Sequence, residues 1–196
     1  MDHPRLTRPA ARACIVLAIL MPACEQAETP VAPVMPSHQH ELTPADAAFH
    51  QRFWRSREVV SWLTRLHARN ARFHRFESAT RAGYDTQITP CMEDPALGGM
   101  GFHYGNGSLI DGEVDEFAPE VLLYEPQRNG KLRLVGVEFI VPFSAWTEQE
   151  PPELHGLTFK ANETFQVWAL HAWVFRYNPT GVFSDWNPRV NCEHEF

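Results

Sequence analysis

The chain has 196 residues, enough for one domain with some length to spare at the ends. A hydrophobic fraction of 44% and an aromatic fraction of 12% can fill a core, which excludes a wholly disordered chain and a small disulfide scaffold. The net charge of −7 argues against a nucleic acid as partner, because a phosphate backbone selects basic surfaces.

Residues 1–24 read as an export signal. Arg5, Arg8 and Arg12 form a positive start, and an uncharged apolar run follows from Cys14 to Met21. That run is too short for a membrane-spanning helix. Leu20-Met21-Pro22-Ala23-Cys24 resembles the lipobox of bacterial lipoproteins, with Met21 and Pro22 departing from its usual residues. The resemblance implies cleavage before Cys24, lipidation of its thiol and a membrane partner reached through that anchor. The expected address is the cell envelope, the alternative being a soluble periplasmic or secreted protein. Without its first 24 residues the chain carries a net −9, and its only lysines are Lys131 and Lys160.

Residues 25–42 form an extended tether punctuated by Pro30, Pro33 and Pro36. His38 and His40 lie in it, where flexible histidines bind metal weakly at best. Residues 43–196 then read as a single α+β domain: N-terminal helical segments followed by a curved antiparallel sheet or partial barrel. Thr43, Pro44 and Asp46 make a helix start. Phe49, Phe53, Trp54, Val60, Trp62, Leu63 and Leu66 extend an apolar stripe toward an end at 67–70. A second helical segment carries Phe73, Phe76 and Ala79 and stops at Gly83.

Strands are expected near 101–104, 121–125, 131–142 and 165–177, with Asn129-Gly130 as a hairpin turn. Two cysteines remain after the leader and Cys24 are set aside. In an oxidising compartment Cys91 and Cys192 pair most simply with each other, the alternative being two separate buried thiols.

Strand alternation sorts the polar side chains. One face of 166–177 holds Val167, Ala169, His171, Trp173, Phe175 and Tyr177. One face of 132–140 holds Leu132, Leu134, Gly136, Glu138 and Ile140. A carboxylate in such company pairs, coordinates or protonates. His103 follows a glycine-rich stretch that lets backbone or ligand approach closely, and Glu125 ends an apolar run.

Two imidazoles and a carboxylate suit zinc, iron or manganese and leave positions open for a substrate. His103, Glu138 and His171 are the candidate metal ligands, and Tyr104, Glu125 and Trp173 the candidate contacts to a small molecule. The competing readings are a hydrogen-bonded core histidine with Glu138 bridging Arg176, and a metal-free ligand pocket. His155, in a proline-rich loop, is expected at the surface.

Three functions remain open on this evidence. They are a binding module for a small ligand or metal, a metal-dependent enzyme with Glu125 as base or fourth ligand, and a structural envelope-interaction protein.

Ala82-Gly83-Tyr84, Gly99-Met100-Gly101-Phe102-His103-Tyr104, Glu120 to Pro126, Val135 to Glu138, Leu170-His171-Ala172-Trp173 and Asp185-Trp186-Asn187-Pro188 form an ordered series. It resembles a family of exported bacterial proteins of uncharacterised function, over roughly residue 70 to Cys192. The resemblance implies domain limits and no chemistry.

Overall fold

The chain separates into two units, Met1–Glu41 and Leu42–Phe196. A computed structural model describes residues 44–195, with side chains from Ser56 onward. The leader, Cys24, the tether histidines and the cap residue Thr43 lie outside the described residues, as do the side chains of Asp46, Phe49, Phe53 and Trp54. Among the described residues no helix is long and apolar enough to cross a membrane.

Helix α1, Pro44–Asn70, turns Trp62 and Leu66 into the core, with Val59 and Leu63 flanking them. Val60 is 63% exposed, against its expected place in the stripe. Two residues before Trp62 is more than half a helical turn away, so it points outward. The chain then tightens into a 3-10 turn, Ala71–His74, and a short helix α2, Phe76–Arg81. Gly83 ends this segment at φ +97°, and a Cβ there would sit 2.9 Å from the Asn106 side chain. Only glycine takes that backbone without strain.

Six antiparallel strands form the main sheet in the order β1-β2-β3-β4-β8-β7, curled into a half-barrel. They are β1 (Tyr84–Asp94), β2 (Gly98–Asn106), β3 (Val121–Pro126), β4 (Leu132–Pro142), β7 (Lys160–Asn162) and β8 (Val167–Ala172). Strands β5 (Glu153–Leu154) and β6 (Leu157–Thr158) pair as a separate small hairpin. The helices precede the sheet in the chain, as expected of this α+β domain. The β3–β4 hairpin closes over Asn129-Gly130, with Gly130 at φ +72°.

Two strand expectations are corrected. β1 has no counterpart in the sequence reading: it is an edge strand with mostly exposed side chains and Pro90 within it, so it lacks the usual apolar alternation. The last long strand stops at Ala172, well before Tyr177. Beyond it the Trp173 amide bonds to Val182 and the Phe175 amide to Val135, so the Trp173, Phe175, Tyr177 row does not continue the ladder. Tyr177 is 68% exposed.

The sheet buries both faces. One packs Leu122, Tyr124, Val137, Phe139 and Leu170 against Trp62, Leu66 and Phe73 of the helical segment. The other gathers Val121, Leu123, Val135, Ile140 and Ala169 with Trp173 and Val190 from the C-terminal segment. A bulge decides which β4 residues go where. Leu123 pairs with Gly136 but Tyr124 with Leu134, so Val135 is the extra residue and the alternation changes phase there. Leu134 therefore packs on the helix side, not with Glu138 and Ile140 as expected.

The C-terminal segment is fastened across the start of β2. The Gly99 amide is shared between the carbonyls of Asn187 at 3.1 Å and Val190 at 2.8 Å. A Cβ on Gly98 would fall 2.4 Å from the Asn187 carbonyl oxygen. Close backbone approach, one of the two expected reasons for glycine here, is realised at Gly98 and Gly99. The Cys91–Cys192 disulfide, joining residues 101 apart, ties the same segment to β1.

Candidate metal centre

His103 on β2, Glu138 on β4 and His171 on β8 meet on the face opposite the helices. Glu138 and His171 are direct cross-strand partners, and His171 Nε2 lies 3.5 Å from Glu138 Oε1. His103 comes from two strands away on the other side. The intervening β3 puts Val121 and Leu123 on this face between them, and His103 Nε2 comes to 3.7 Å from Glu138 Oε2. The imidazole centroids are 6.0 Å apart and nearly perpendicular. All three residues are buried, and one ligand atom from each lies within 4.8 Å of the others.

Two donors on one ion at about 2.1 Å stand at most about 4.2 Å apart, so small side-chain adjustments suffice to close this set around a metal. The cluster could hold one metal ion. Its donors, two imidazoles and a carboxylate, are those of zinc, non-haem iron and manganese sites.

Hydrogen bonding distinguishes the rings. His103 Nδ1 lies 2.9 Å from the Thr89 hydroxyl on β1. A proton on Nδ1 donated to Thr89 leaves Nε2 as the lone-pair nitrogen facing Glu138. Burial holds the His103 pKa down to about 4, against the opposing charge of Glu138, so the ring is neutral at physiological pH. A neutral imidazole is the form that binds metal.

His171 is the unusual member. Neither ring nitrogen has a hydrogen-bond partner, although both are inaccessible. Asp185 Oδ1 stands 3.7 Å from Nδ1, an ion-pair distance too long for a hydrogen bond. Burial disfavours charge on this ring, but the Glu138 and Asp185 carboxylates outweigh it and raise its proton affinity. Asp185 in turn is held down to about 2, by His171 first and then by Lys160, whose Nζ lies 2.8 Å away.

A cavity of about 680 Å³ opens onto the cluster and contains His103, Glu138 and His171 in its wall. Thr89, Asp185, Lys160 and Trp186 also line it. Sequence reasoning assigned none of these four a role. Asp185 and Trp186 sit in the Asp185-Trp186-Asn187-Pro188 motif, the one signal available for them, whereas Thr89 lies in the edge strand β1, which has no apolar alternation.

The three expected small-molecule contacts are placed elsewhere. Tyr104 follows His103 directly, so alternation sends it to the helix face, where its hydroxyl donates to Gln87 at 3.2 Å. Glu125 is buried but occupied: Oε1 accepts from the Asn191 amide and Oε2 from Gln127. It is not among the residues whose ligand atoms converge at this cluster. Trp173 stacks nearly parallel to His171 at 6.3 Å, but its indole donates to the Ser184 carbonyl and the ring packs into the core outside the cavity.

Two further expectations change. Arg176 bonds the Arg189 carbonyl and makes no bridge to Glu138. His155 sits in the two-residue β5–β6 turn at φ 52°, packs at a tilt against Trp62 at 4.9 Å and meets Glu116 at 2.6 Å. Its side chain is only 14% exposed, because the hairpin folds that turn back onto α1.

Comparison of the chain with protein-family models, curated proteins and solved structures finds no match.

Proposed function

We propose that this chain is an exported domain, tethered through lipidated Cys24, that binds a divalent zinc, iron or manganese ion between His103, Glu138 and His171 and admits a small molecule beside it. The observation that carries the reading is His171. A buried imidazole whose two nitrogens make no hydrogen bond is costly in a folded core, and a metal at Nε2 would remove part of that cost. His103 and Glu138 supply the remaining donors at the same point. The Cys91–Cys192 bond fits an oxidising, exported compartment. The lipobox-like leader and the resemblance to exported bacterial proteins support the same address.

Metal analysis of full-length protein purified without a histidine tag tests the reading. One equivalent of zinc, iron or manganese per chain is expected, with most of it lost in His171→Ala and in His103→Ala. Substoichiometric metal unchanged by either substitution would remove the proposal.

A metal-dependent enzyme is the second reading, favoured by the cavity. Three protein donors leave coordination positions, and the cluster forms part of a wall wide enough for a substrate. Asp185, ion-paired with Lys160 beside His171, is the acidic group nearest to such chemistry.

A further inference from the structure

The cavity beside the cluster has a definite chemical character. Its wall is mainly apolar, with Ile88, Met92, Met100, Ile110, Phe165 and Trp186 among its lining residues. Two of the few large apolar side chains left exposed in the described domain, Ile88 at 37% and Phe165 at 47%, belong to it. Exposed apolar groups collected at one opening mark surface that a ligand covers.

Charge supplies the second constraint. A divalent ion with one carboxylate and two neutral imidazoles leaves a residual single positive charge at the base of an apolar chamber. Such a charge is poorly solvated there and favours one anionic donor. The other carboxylates of the lining, Asp185 and Glu163, each have a partner of their own. Asp185 is committed to Lys160 at 2.8 Å, and the exposed Glu163 carboxylate is turned to Gln166 and solvent.

We infer that the second ligand of this centre is a monoanionic amphiphile, a small aliphatic or aryl carboxylate whose head reaches the metal and whose apolar body lies between Met92, Met100, Ile110 and Phe165. This rests on the metal reading given above and names its ligand class. The volume of about 680 Å³ lies within the range of small-molecule sites and accommodates a medium-length chain or a single ring system.

Calorimetric titration of the full chain separates the two claims. Zinc is added first; if it fails to bind, the metal reading falls and the ligand class falls with it. Octanoate, acetate and octan-1-ol are then titrated into zinc-loaded and metal-free protein. Each buried methylene is worth about a factor of four, so octanoate is expected to bind at least about a hundredfold more tightly than acetate. It is also expected to exceed octanol, and to lose affinity, by at least about tenfold when zinc is withheld.

Zinc binding with octanoate no tighter than acetate overturns the apolar body. Octanoate matched by octanol, or indifferent to zinc, overturns the anionic head. Phe165→Ser, at an exposed position outside the donor cluster, is expected to weaken octanoate several-fold and leave zinc and acetate affinities unchanged. Equal losses for octanoate and acetate would count against the assigned tail path.

Discussion

The Thr89 hydroxyl and Nδ1 of His103 are 2.9 Å apart, while Nε2 of the same ring faces Glu138. Thr89 touches no metal donor atom except through His103, so its role is positioning. Thr89→Val keeps the shape and removes the hydrogen-bonding oxygen. Zinc affinity, read by competition with a chromophoric chelator, is expected to fall about tenfold to a hundredfold, with Thr89→Ser restoring most of it. An unchanged affinity in Thr89→Val would show that the ring is oriented by packing alone.

His171 is expected to carry a cost in metal-free protein. Leaving polar atoms buried without partners destabilises a fold by about 1–3 kcal/mol. His171→Leu should therefore abolish the stabilisation that zinc gives the parent chain and, at alkaline pH where the raised proton affinity of the ring no longer contributes, raise the urea midpoint of chelator-treated protein. A variant destabilised at that pH in the absence of metal would mean that the imidazole makes a favourable contact in the core.

Glu120 sets a pH dependence of stability. Its carboxyl is buried and accepts the Ile140 amide at 2.9 Å. Burial pushes its pKa up to about 8, with the Asp111 and Glu138 charges adding and the backbone hydrogen bonds opposing. The folded state keeps a proton that the unfolded chain releases near its ordinary 4.5. Stability from this group is therefore full below that value, declines as pH rises toward about 8 and then levels. The limiting slope is about 1.4 kcal/mol per pH unit. Glu120→Gln retains an oxygen for Ile140 and is expected to flatten the decline, as measured by unfolding at mildly acidic and mildly alkaline pH. Parallel curves for the two proteins would assign the decline to other groups.

The Cys91–Cys192 bond closes a loop spanning 101 positions. Chain-entropy reasoning gives a stabilisation of about 4.7 kcal/mol for a loop near that size. The Cys91→Ser, Cys192→Ser double variant should lose several kcal/mol in denaturant unfolding and show no further response to reductant. Because the bond holds the C-terminal segment that crosses Gly99, the loss should be accompanied by faster amide exchange at Asn187 and Val190.

Much of the helical part was legible from local signals. Trp62, Leu66, Phe73 and Ala79 recur at helical spacing and are all buried, and Gly83 stops the segment where a positive φ is required. The hairpin at Asn129-Gly130 was equally local. Edge strand β1 was not, because solvent on its exposed side removes the hydrophobic alternation by which a strand is recognised. The phase change at Val135 was also invisible: a bulge is a relation between two strands, and β4 alone does not contain it.

The candidate site divides in the same way. Apolar neighbours at period two marked Glu138 and His171 as polar groups in an oily setting, and the sequence alone selected both, together with His103. Their meeting depended on tertiary structure, since it requires the pairing of β4 with β8 and the reach of His103 across β3. Alternation turns Tyr104 to the helix face and hydrogen bonds engage Glu125, while β1 and the segment after β8 bring in Thr89 and Asp185. Composition and spacing determined an α+β domain and which side chains were out of place in its core. Register and curl decided which of them share a point in space, because contacts between residues 30 to 70 positions apart carry no local energetic signature in the chain.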